Sequence, residues 1–398
     1  MNLKKRFKGF IFTILLCTVL ASCSNSGPSH EIPLEQSSNC PISTMRTGTE
    51  RQGIKTYGNG FECTDTGSYF MCDINGISWL LYVDHDSDTI VKLCGRPDCN
   101  HTGEDCNAYF GSAKSICYYN GFLYTFYDES FTPNSGDIIR INLDGTERVT
   151  VYNVSSFEKA NNCKGRYNPK VLNGIFMADS LIIDENGQTV SKAYYYKLDG
   201  SMKVPKFDSF SEMLMNADGE NFLGVVDYDQ ENDLYVYGIW EPENGVTTEL
   251  FKAEDIHTRG YIGTKAEYYV ENGIIIENSY TEGKKKLIDT GLNGNYQLVC
   301  FPDCMVVYEF IPEFSGIALK ETTLYFYGWD GSKLGNVRTN YTFNDKLLET
   351  GLVCGETPER IILTDSFDYV PRYYINKSDF GTGNIEIHAF NMPDFGEE

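Results

Sequence analysis

The feature that most constrains the fold of this chain is a repeating tight turn. Asn-Gly and equivalent dipeptides precede strand-like segments at intervals of 43 to 54 residues, with an average of about 48. The turns are Asn75-Gly76, Asn120-Gly121, Asn173-Gly174, Asp218-Gly219 and Asn272-Gly273, with weaker equivalents at Ser315-Gly316 and Asp365-Ser366. Asn-Gly favours two-residue β-hairpins, and a period in this range is typical of four-stranded propeller blades.

A second set of turns doubles the pattern. Alternating segments run into Asp-Gly or Asn-Gly at 139–145, 194–200, 234–245, 287–294 and 324–331. Two hairpins per period fit an antiparallel blade of four strands. We therefore predict an all-β fold, a single β-propeller of seven blades, with six or eight left open because the last two turns are weak. A stack of β-sandwich modules would need repeats nearer 100 residues.

Composition favours strands over helices. The chain holds 28 Tyr, 24 Phe and 37 Gly, and its aromatic runs at 122–127, 234–237 and 324–327 fit strands buried between blades. The best helical pattern, at 210–215, predicts at most one or two turns. We interpret Trp79, Trp240 and Trp329 as packing residues in preference to a stacking platform for sugars, because aromatic residues in alternating strands usually belong to a core.

The start of the chain predicts a compartment. A cationic leader contains Lys4, Lys5, Arg6 and Lys8. An apolar run at 10–20, too short to span a bilayer, ends in Leu20-Ala21-Ser22-Cys23, which resembles a bacterial lipobox. We expect a signal peptide over 1–22, lipidation of Cys23, a flexible tether to residue 39 and a propeller domain over 40–398. The predicted location is the outer face of the cytoplasmic membrane, with a lipid anchor alone.

Charge excludes one class of partner. The chain carries 33 basic and 56 acidic residues, and the part from Cys23 onward has 29 and 56, a net charge of −27. A protein that tracks phosphates needs clustered Lys and Arg. The only basic run after the leader, at 284–286, lies in a Gly-punctuated strand-like segment and is interpreted as a solvated hairpin. We therefore expect no nucleic-acid binding.

The cysteines form the most informative chemical pattern. Besides Cys17 in the leader and Cys23, 11 remain, and seven of these lie between positions 40 and 117. At their centre is the pattern Cys94-x4-Cys99-x-His101-x4-Cys106. Three thiolates and an imidazole suit tetrahedral zinc, whereas exported proteins generally favour disulfides. We predict a cross-linked segment over 94–106, by disulfides first and by a structural zinc second.

The remaining sequence patterns say less about function. Cys300-x3-Cys304 predicts a local disulfide, although connectivity cannot be read from sequence. The acidic runs at 84–88 and 227–233 begin like calcium loops but lack the remaining ligands, so we interpret them as solvated turns. No short catalytic motif is present, and no catalytic residue is assigned. Of the five histidines, His257 and His388 are interpreted as surface or packing residues.

The cysteine-rich segment, together with other features of the chain, resembles a known family. The segment 91–110, VKLCGRPDCNHTGEDCNAYF, together with the lipobox and the Asn-Gly repeats, is similar to surface lipoproteins of gut Firmicutes. These carry a β-propeller distantly similar to that of low-density-lipoprotein receptors. The resemblance implies a propeller and a cell-surface location, and it implies no activity. The chain departs from the receptor propellers because it lacks the Tyr-Trp-Thr-Asp tetrapeptide.

Two function classes follow. The first is a non-enzymatic, surface-anchored and monomeric module that binds an extracellular protein, peptide or glycan. Its longer loops would be 132–137, 153–168 and 376–382, which are rich in Asn, Ser, Gly and Lys. The second is a propeller hydrolase or lyase that acts on a polysaccharide or a lactone. We favour the first because the loops suit adaptable hydrogen bonding more than proton transfer.

Overall fold

The computed structural model describes most of the chain after residue 59. The described residues are 60–113, 115–127, 136–184, 187–207, 214–218, 221–242, 245–253, 260–263, 265–294, 296–309, 322–339, 353–364 and 370–395. The predicted signal peptide, Cys23 and the tether lie outside them, as do the turns at 315 and 365. Within the described residues, no helix has the length and hydropathy needed to cross a bilayer.

The strands form seven antiparallel sheets, each built from consecutive strands. Blade 1 has β1 (Phe61–Cys63), β2 (Gly67–Ile74), β3 (Ile77–Asp84), β4 (Val91–Lys92) and β5 (Tyr109–Gly111). Blade 2 has β6 (Ile116–Tyr119), β7 (Phe122–Tyr127), β8 (Asp137–Asn142) and β9 (Arg148–Asn153). Blade 3 has β10 (Tyr167–Leu172), β11 (Ile175–Ile183), β12 (Thr189–Lys197) and β13 (Lys206–Phe207). Blade 4 has β14 (Leu214–Asp218), β15 (Asn221–Asp229), β16 (Leu234–Glu241) and β17 (Val246–Ala253).

The remaining three blades repeat this order. Blade 5 has β18 (Gly260–Ile262), β19 (Ala266–Glu271), β20 (Ile274–Ser279) and β21 (Gly283–Asp289). Blade 6 has β22 (Tyr296–Cys300), β23 (Met305–Glu309), β24 (Thr323–Tyr327) and β25 (Lys333–Arg338). Blade 7 has β26 (Val353–Glu356), β27 (Arg360–Leu363), β28 (Tyr373–Asn376) and β29 (His388–Ala389). The predicted all-β propeller and its seven blades are confirmed.

The repeating turns do not all occupy the same place in a blade. The turns at 120–121 and 173–174 connect the first and second strands, whereas those at 75–76 and 272–273 connect the second and third. In blade 4, Asp218 is the last residue of the first strand, and residue 219 lies outside the described residues. At Asn75-Gly76 both residues have positive φ, 55° and 77°, which is the geometry of the type I′ hairpin turn. The predicted number of blades was nevertheless correct, because the sequence of each blade contains one of the seven turn dipeptides that were counted.

The hydrophobic core lies between blades. Successive residues of a strand point to opposite faces, and here each face packs on a different neighbour. In β7, Leu123 belongs to the cluster shared with blade 1 and Tyr124 to the cluster shared with blade 3. In β27, Ile361 packs with blade 6 and Ile362 with blade 1. The same clusters join blade 7 back to blade 1, and β1 contacts β26, so the ring is closed.

Helix is scarce in the described residues. One α-helix, α1 (Ser155–Ala160), lies in the connection between blades 2 and 3, and a 3-10 turn covers Lys377–Asp379. The helix predicted from the pattern at 210–215 is wrong for residues 214 and 215, which belong to β14. Residues 210–213 lie outside the described residues. Strand pairing with β15 overrides the local helical preference there.

A candidate metal centre at the outer edge of blade 1

The outer strand of blade 1 is interrupted, and the interruption carries the cysteine pattern. Both β4 and β5 pair with β3, at Leu81–Tyr82 and at Ser78–Trp79 respectively. Between them the chain leaves the sheet and returns on either side of Leu80. The Leu93 N–H donates to the Leu80 carbonyl over 2.9 Å, and the Leu80 N–H donates to the Ala108 carbonyl over 2.8 Å. Residues 94–107, hereafter the rim loop, are thus pinched at their base by one residue of the sheet.

The rim loop brings its three cysteines and its histidine together. The ligand atoms of Cys94, Cys99, His101 and Cys106 all lie within 4.8 Å of one another. His101 Nδ1 is 3.6 Å from Cys106 Sγ, and the His101 backbone N–H donates to Cys99 Sγ over 3.4 Å. His101 has a positive φ of 58°, a conformation in which His is found more often than most residues. That bend lets its backbone and its ring face two different sulfur atoms.

The local backbone polarises the thiols. Burial raises the pKa of Cys94, but hydrogen bonds from the backbone N–H groups of Arg96 and Asn107 and from the Cys99 and Cys106 side chains together leave that pKa lowered. Burial raises the pKa of Cys106 to about 12, and the neighbouring Cys94 sulfur adds to the shift. The N–H donors therefore favour a thiolate at one end of the loop, and the buried end favours a thiol when no cation is present.

Blade 2 supports the loop from the side. The Asn107 side-chain amide donates to the carbonyls of Gly145 and Thr146 over 2.7 and 3.2 Å. Gly145 has a φ of 68°, and a Cβ there would lie 2.7 Å from the Leu93 carbonyl oxygen. Glycine is therefore required for the β8–β9 turn to approach the loop base so closely. The contacts hold the loop against the sheet while its tip stays exposed.

The donor set fits one class of ion. Three thiolates and one imidazole match structural zinc sites, which are tetrahedral and closed by four protein ligands. Soft sulfur ligands disfavour calcium and magnesium, which prefer oxygen. A closed set of four ligands leaves no position for a substrate or an activated water. The arrangement is therefore suited to holding a fold together and not to catalysis.

The structure also describes the cysteines for which disulfides were predicted. None of the ten described cysteines, from Cys63 to Cys354, forms a disulfide bond in the structure. Cys300 and Cys304 are buried in two different cores, one facing blade 5 and the other facing blade 7. Their side chains lie on opposite faces of the blade 6 sheet, and burial raises the pKa of both thiols. The two thiols therefore belong to different cores, and the local disulfide between them stays a prediction.

A second group of potential ligands surrounds a lysine. Ligand atoms of Asp303, Cys304 and Glu356 lie within 4.8 Å of one another. Lys377 Nζ is 2.9 Å from both Asp303 Oδ2 and Glu356 Oε2. Its ammonium already supplies the positive charge that this pocket of carboxylates needs, and it joins blade 6 to blade 7. We interpret the group as an ion-pair junction.

The other sequence candidates have ordinary surroundings. Trp79 and Trp240 are buried in cores, and the Trp329 indole donates to the Phe301 carbonyl over 2.8 Å. The acidic runs lie in hairpins as predicted: Asp229 accepts a hydrogen bond from Lys252 Nζ over 2.9 Å. His388 stacks on an aromatic ring of β28. His257 lies outside the described residues, as does Cys40.

The sequence pattern singled out the four residues that cluster in the rim loop, but it missed the residues that hold the loop in place. Leu80 and Asn107 have no motif of their own, because they act through a backbone pair and a side-chain amide. The same is true of Lys92, whose Nζ donates to the His101 carbonyl over 2.8 Å.

No protein-family model matches the chain, and no curated protein matches it. Among solved structures, a chain of the nidogen/laminin complex is 15% identical over 57% of this chain and 76% of its own length, with a TM-score of 0.29. The propeller domain of the Trilobed protease from Pyrococcus furiosus is 10% identical over 57% and 69%, with a TM-score of 0.33. TolB from Acinetobacter baumannii is 15% identical over 69% and 63%, with a TM-score of 0.35. The seven-blade assignment rests on the strand pairing of this chain itself.

Proposed function

We propose that the rim loop binds one zinc ion through Cys94, Cys99, His101 and Cys106. The observation that carries the proposal is that all four ligand atoms lie within 4.8 Å of one another. In a tetrahedral site with zinc–sulfur bonds of about 2.3 Å, ligand atoms are separated by roughly 3.8 Å. The loop therefore needs only a small contraction to close around the ion.

The role of the zinc would be structural. Within the rim loop, Arg96 Nη1 donates to the Asp105 carbonyl and the Cys106 N–H donates to the Gly103 carbonyl. Of residues 94–107, only the three cysteines pack with a hydrophobic core. A loop with so little core is held best by a cross-link. Zinc would supply one, because the energy of binding the metal adds to the folding energy of the segment that carries the ligands.

Metal content tests the proposal against disulfides. The full chain, purified without chelator, should contain one zinc per molecule, and Cys99→Ser should lose it. Cys163→Ser is a matched control, since Cys163 is half-buried in the α1 connection and belongs to no ligand group in the described residues. Thiol alkylation that requires a chelator supports zinc. Thiols that react only after a reductant is added would show disulfides and overturn the proposal.

We propose further that the protein is a lipid-anchored binding module at the outer face of a bacterial cytoplasmic membrane. The cationic leader and Cys23 support the anchor, and the net charge of −27 supports a domain that stands off an anionic envelope. A closed ring of seven sheets supports the binding role, because its hairpins converge on two faces where loops can vary without disturbing the strands. The partner would be an extracellular protein, peptide or glycan, and the module would act as a monomer.

Arrays of peptides and glycans test this role directly. The purified chain should bind a ligand class reversibly and leave it chemically unchanged. A screen against polysaccharides, lactones and glycosides tests the hydrolase or lyase alternative. Turnover that is abolished by one carboxylate or histidine substitution would overturn the binding-module proposal and would leave the zinc proposal intact, because the two rest on different residues.

A further inference from the structure

The ring is closed by a segment that crosses from blade 7 to blade 1. After β29, residues 390–395, hereafter the closing segment, run beside the turn that precedes β4. The Ile90 N–H donates to the Asn391 carbonyl over 2.9 Å, and the Asn391 N–H donates to the Asp88 carbonyl over 2.8 Å. These bonds form a parallel bridge between Thr89 and Asn391. Each blade is otherwise built from its own consecutive strands, so this bridge joins blade 7 to blade 1 by backbone hydrogen bonds, as a shared strand does in other closed sheets.

Aromatic packing continues the closure. Phe390 packs on Tyr374 of blade 7, with ring centroids 4.6 Å apart. Five residues later, Phe395 packs on Trp79 of blade 1 at 5.8 Å. Met392 contacts the same core. The closing segment thus begins on one side of the seam between blades 7 and 1 and ends on the other.

Lys92 connects the closing segment to the rim loop. Its Nζ lies 4.1 Å from the Trp79 ring centroid and 4.8 Å from that of Phe395. The same Nζ donates to the His101 carbonyl over 2.8 Å. One ammonium therefore contacts the closing segment, the sheet and the backbone of a candidate zinc ligand at once.

We infer that the rim loop and the closing segment form one latch across the seam, with Lys92 as the shared contact. The inference rests on the proposed zinc centre. A zinc ion with three thiolates and one imidazole carries one negative charge in total, and the Lys92 ammonium is hydrogen-bonded to the backbone carbonyl of the histidine ligand. The two aromatic rings hold that ammonium in place by cation–π attraction. Zinc binding should therefore favour docking of the closing segment.

Thermodynamic linkage makes the coupling reciprocal. If zinc strengthens docking by some factor, docking strengthens zinc binding by the same factor. The latch therefore predicts that a substitution in the closing segment weakens a metal site to which it contributes no ligand. A purely local zinc site would not respond in this way.

Zinc affinity of full-chain variants tests the latch, measured by competition with a chromogenic chelator. Phe395→Ala should weaken zinc binding by about fivefold or more, the low end of typical coupling between sites. Phe380→Ala is the matched control, because Phe380, which lies between β28 and β29, packs on Phe326 of blade 6 with ring centroids 5.0 Å apart. Lys92→Met should weaken binding as well, and adding Phe395→Ala to it should cause little further loss, since the shared contact is already gone.

Hydrogen exchange measures the coupling from the other side. Removing zinc should speed exchange of the Ile90 and Asn391 amides, and it should leave the Leu198 amide, which donates to Gly174 in blade 3, unchanged. Stoichiometric zinc with unaltered affinity in Phe395→Ala and unaltered exchange at Ile90 would overturn the latch alone. A chain that binds no zinc would overturn the metal centre and the latch together.

Discussion

Removal of the Glu158 carboxylate should destabilise the junction between blades 2 and 3. Glu158 lies on α1, and its two oxygens accept hydrogen bonds from Arg166 Nε and Nη2 over 2.7 and 2.6 Å. The Tyr194 hydroxyl of blade 3 also donates to Glu158. The Arg166 and Glu158 side chains are only 8% and 15% exposed. Arg166 in turn stacks over Phe126 of blade 2, so the pair joins both blades.

The expected cost follows from this burial. Removing one partner of a buried ion pair costs about 3–5 kcal/mol, because the other charge keeps its desolvation penalty. Glu158 retains some exposure, so we expect Glu158→Ala to lower the free energy of unfolding by about 3 kcal/mol. Glu271→Ala is the control. Its partner Lys284 is 3.4 Å away, and the two side chains are 48% and 56% exposed, for which we expect less than about 1 kcal/mol.

Urea unfolding of the zinc-loaded chain, followed by intrinsic fluorescence, measures both variants. The slope of the free energy against urea should stay constant, so that a shift in midpoint reports stability alone. Glu158→Gln keeps the shape and removes the charge, and it should fall between Glu158→Ala and the parent. Equal midpoints for Glu158→Ala and Glu271→Ala would refute the reasoning that this pair holds the two blades together.

Three further predictions concern the anchor and two charged groups. Cys23→Ala should release the protein from the membrane fraction or leave an unprocessed precursor, and retention of a processed variant would contradict lipid anchoring. Hydrogen bonds, that of the Asn232 side chain first, lower the pKa of Asp229. The contribution of the Asp229 carboxylate to stability is therefore present above about pH 4 and is lost as the pH falls through its lower pKa in the folded state. Asp229→Asn should lose less stability between about pH 4 and pH 2 than the parent does. Parallel stability profiles of the variant and the parent would contradict this. Lys377→Met should lower the free energy of unfolding by about 3 kcal/mol, because it removes the ammonium that faces the buried Glu356 carboxylate; an unchanged urea midpoint would contradict the ion-pair junction.

The sequence predicted the propeller because its signals are local. A two-residue Asn-Gly turn needs positive φ at both positions, and an aromatic or β-branched strand alternates faces over only a few residues. These requirements recur within each blade, so they could be counted without knowing any long-range contact. The count tolerated a mixture of first and second turns, which the structure separates into 120–121 and its equivalents and 75–76 and 272–273.

The ligand pattern was equally local, but its surroundings were not. Cys94 to Cys106 are close in sequence, so their assembly could be anticipated. The bridge from Thr89 to Asn391 joins residues that are about 300 positions apart in the sequence. The turn periodicity does not predict such a long-range pair. The faces of Cys300 and Cys304 depend on the pleat of one sheet and on the turn between its first two strands, which a spacing of four residues does not fix.

X-ray absorption at the zinc edge tests the proposed zinc centre. For the purified full chain, we expect one zinc with three sulfur neighbours at about 2.3 Å and one nitrogen neighbour at about 2.0 Å. His101→Ala should change the first shell by losing the nitrogen while the three sulfurs of Cys94, Cys99 and Cys106 remain. A first shell of oxygen and nitrogen alone, or a chain free of zinc whose thiols are paired as disulfides, would contradict it.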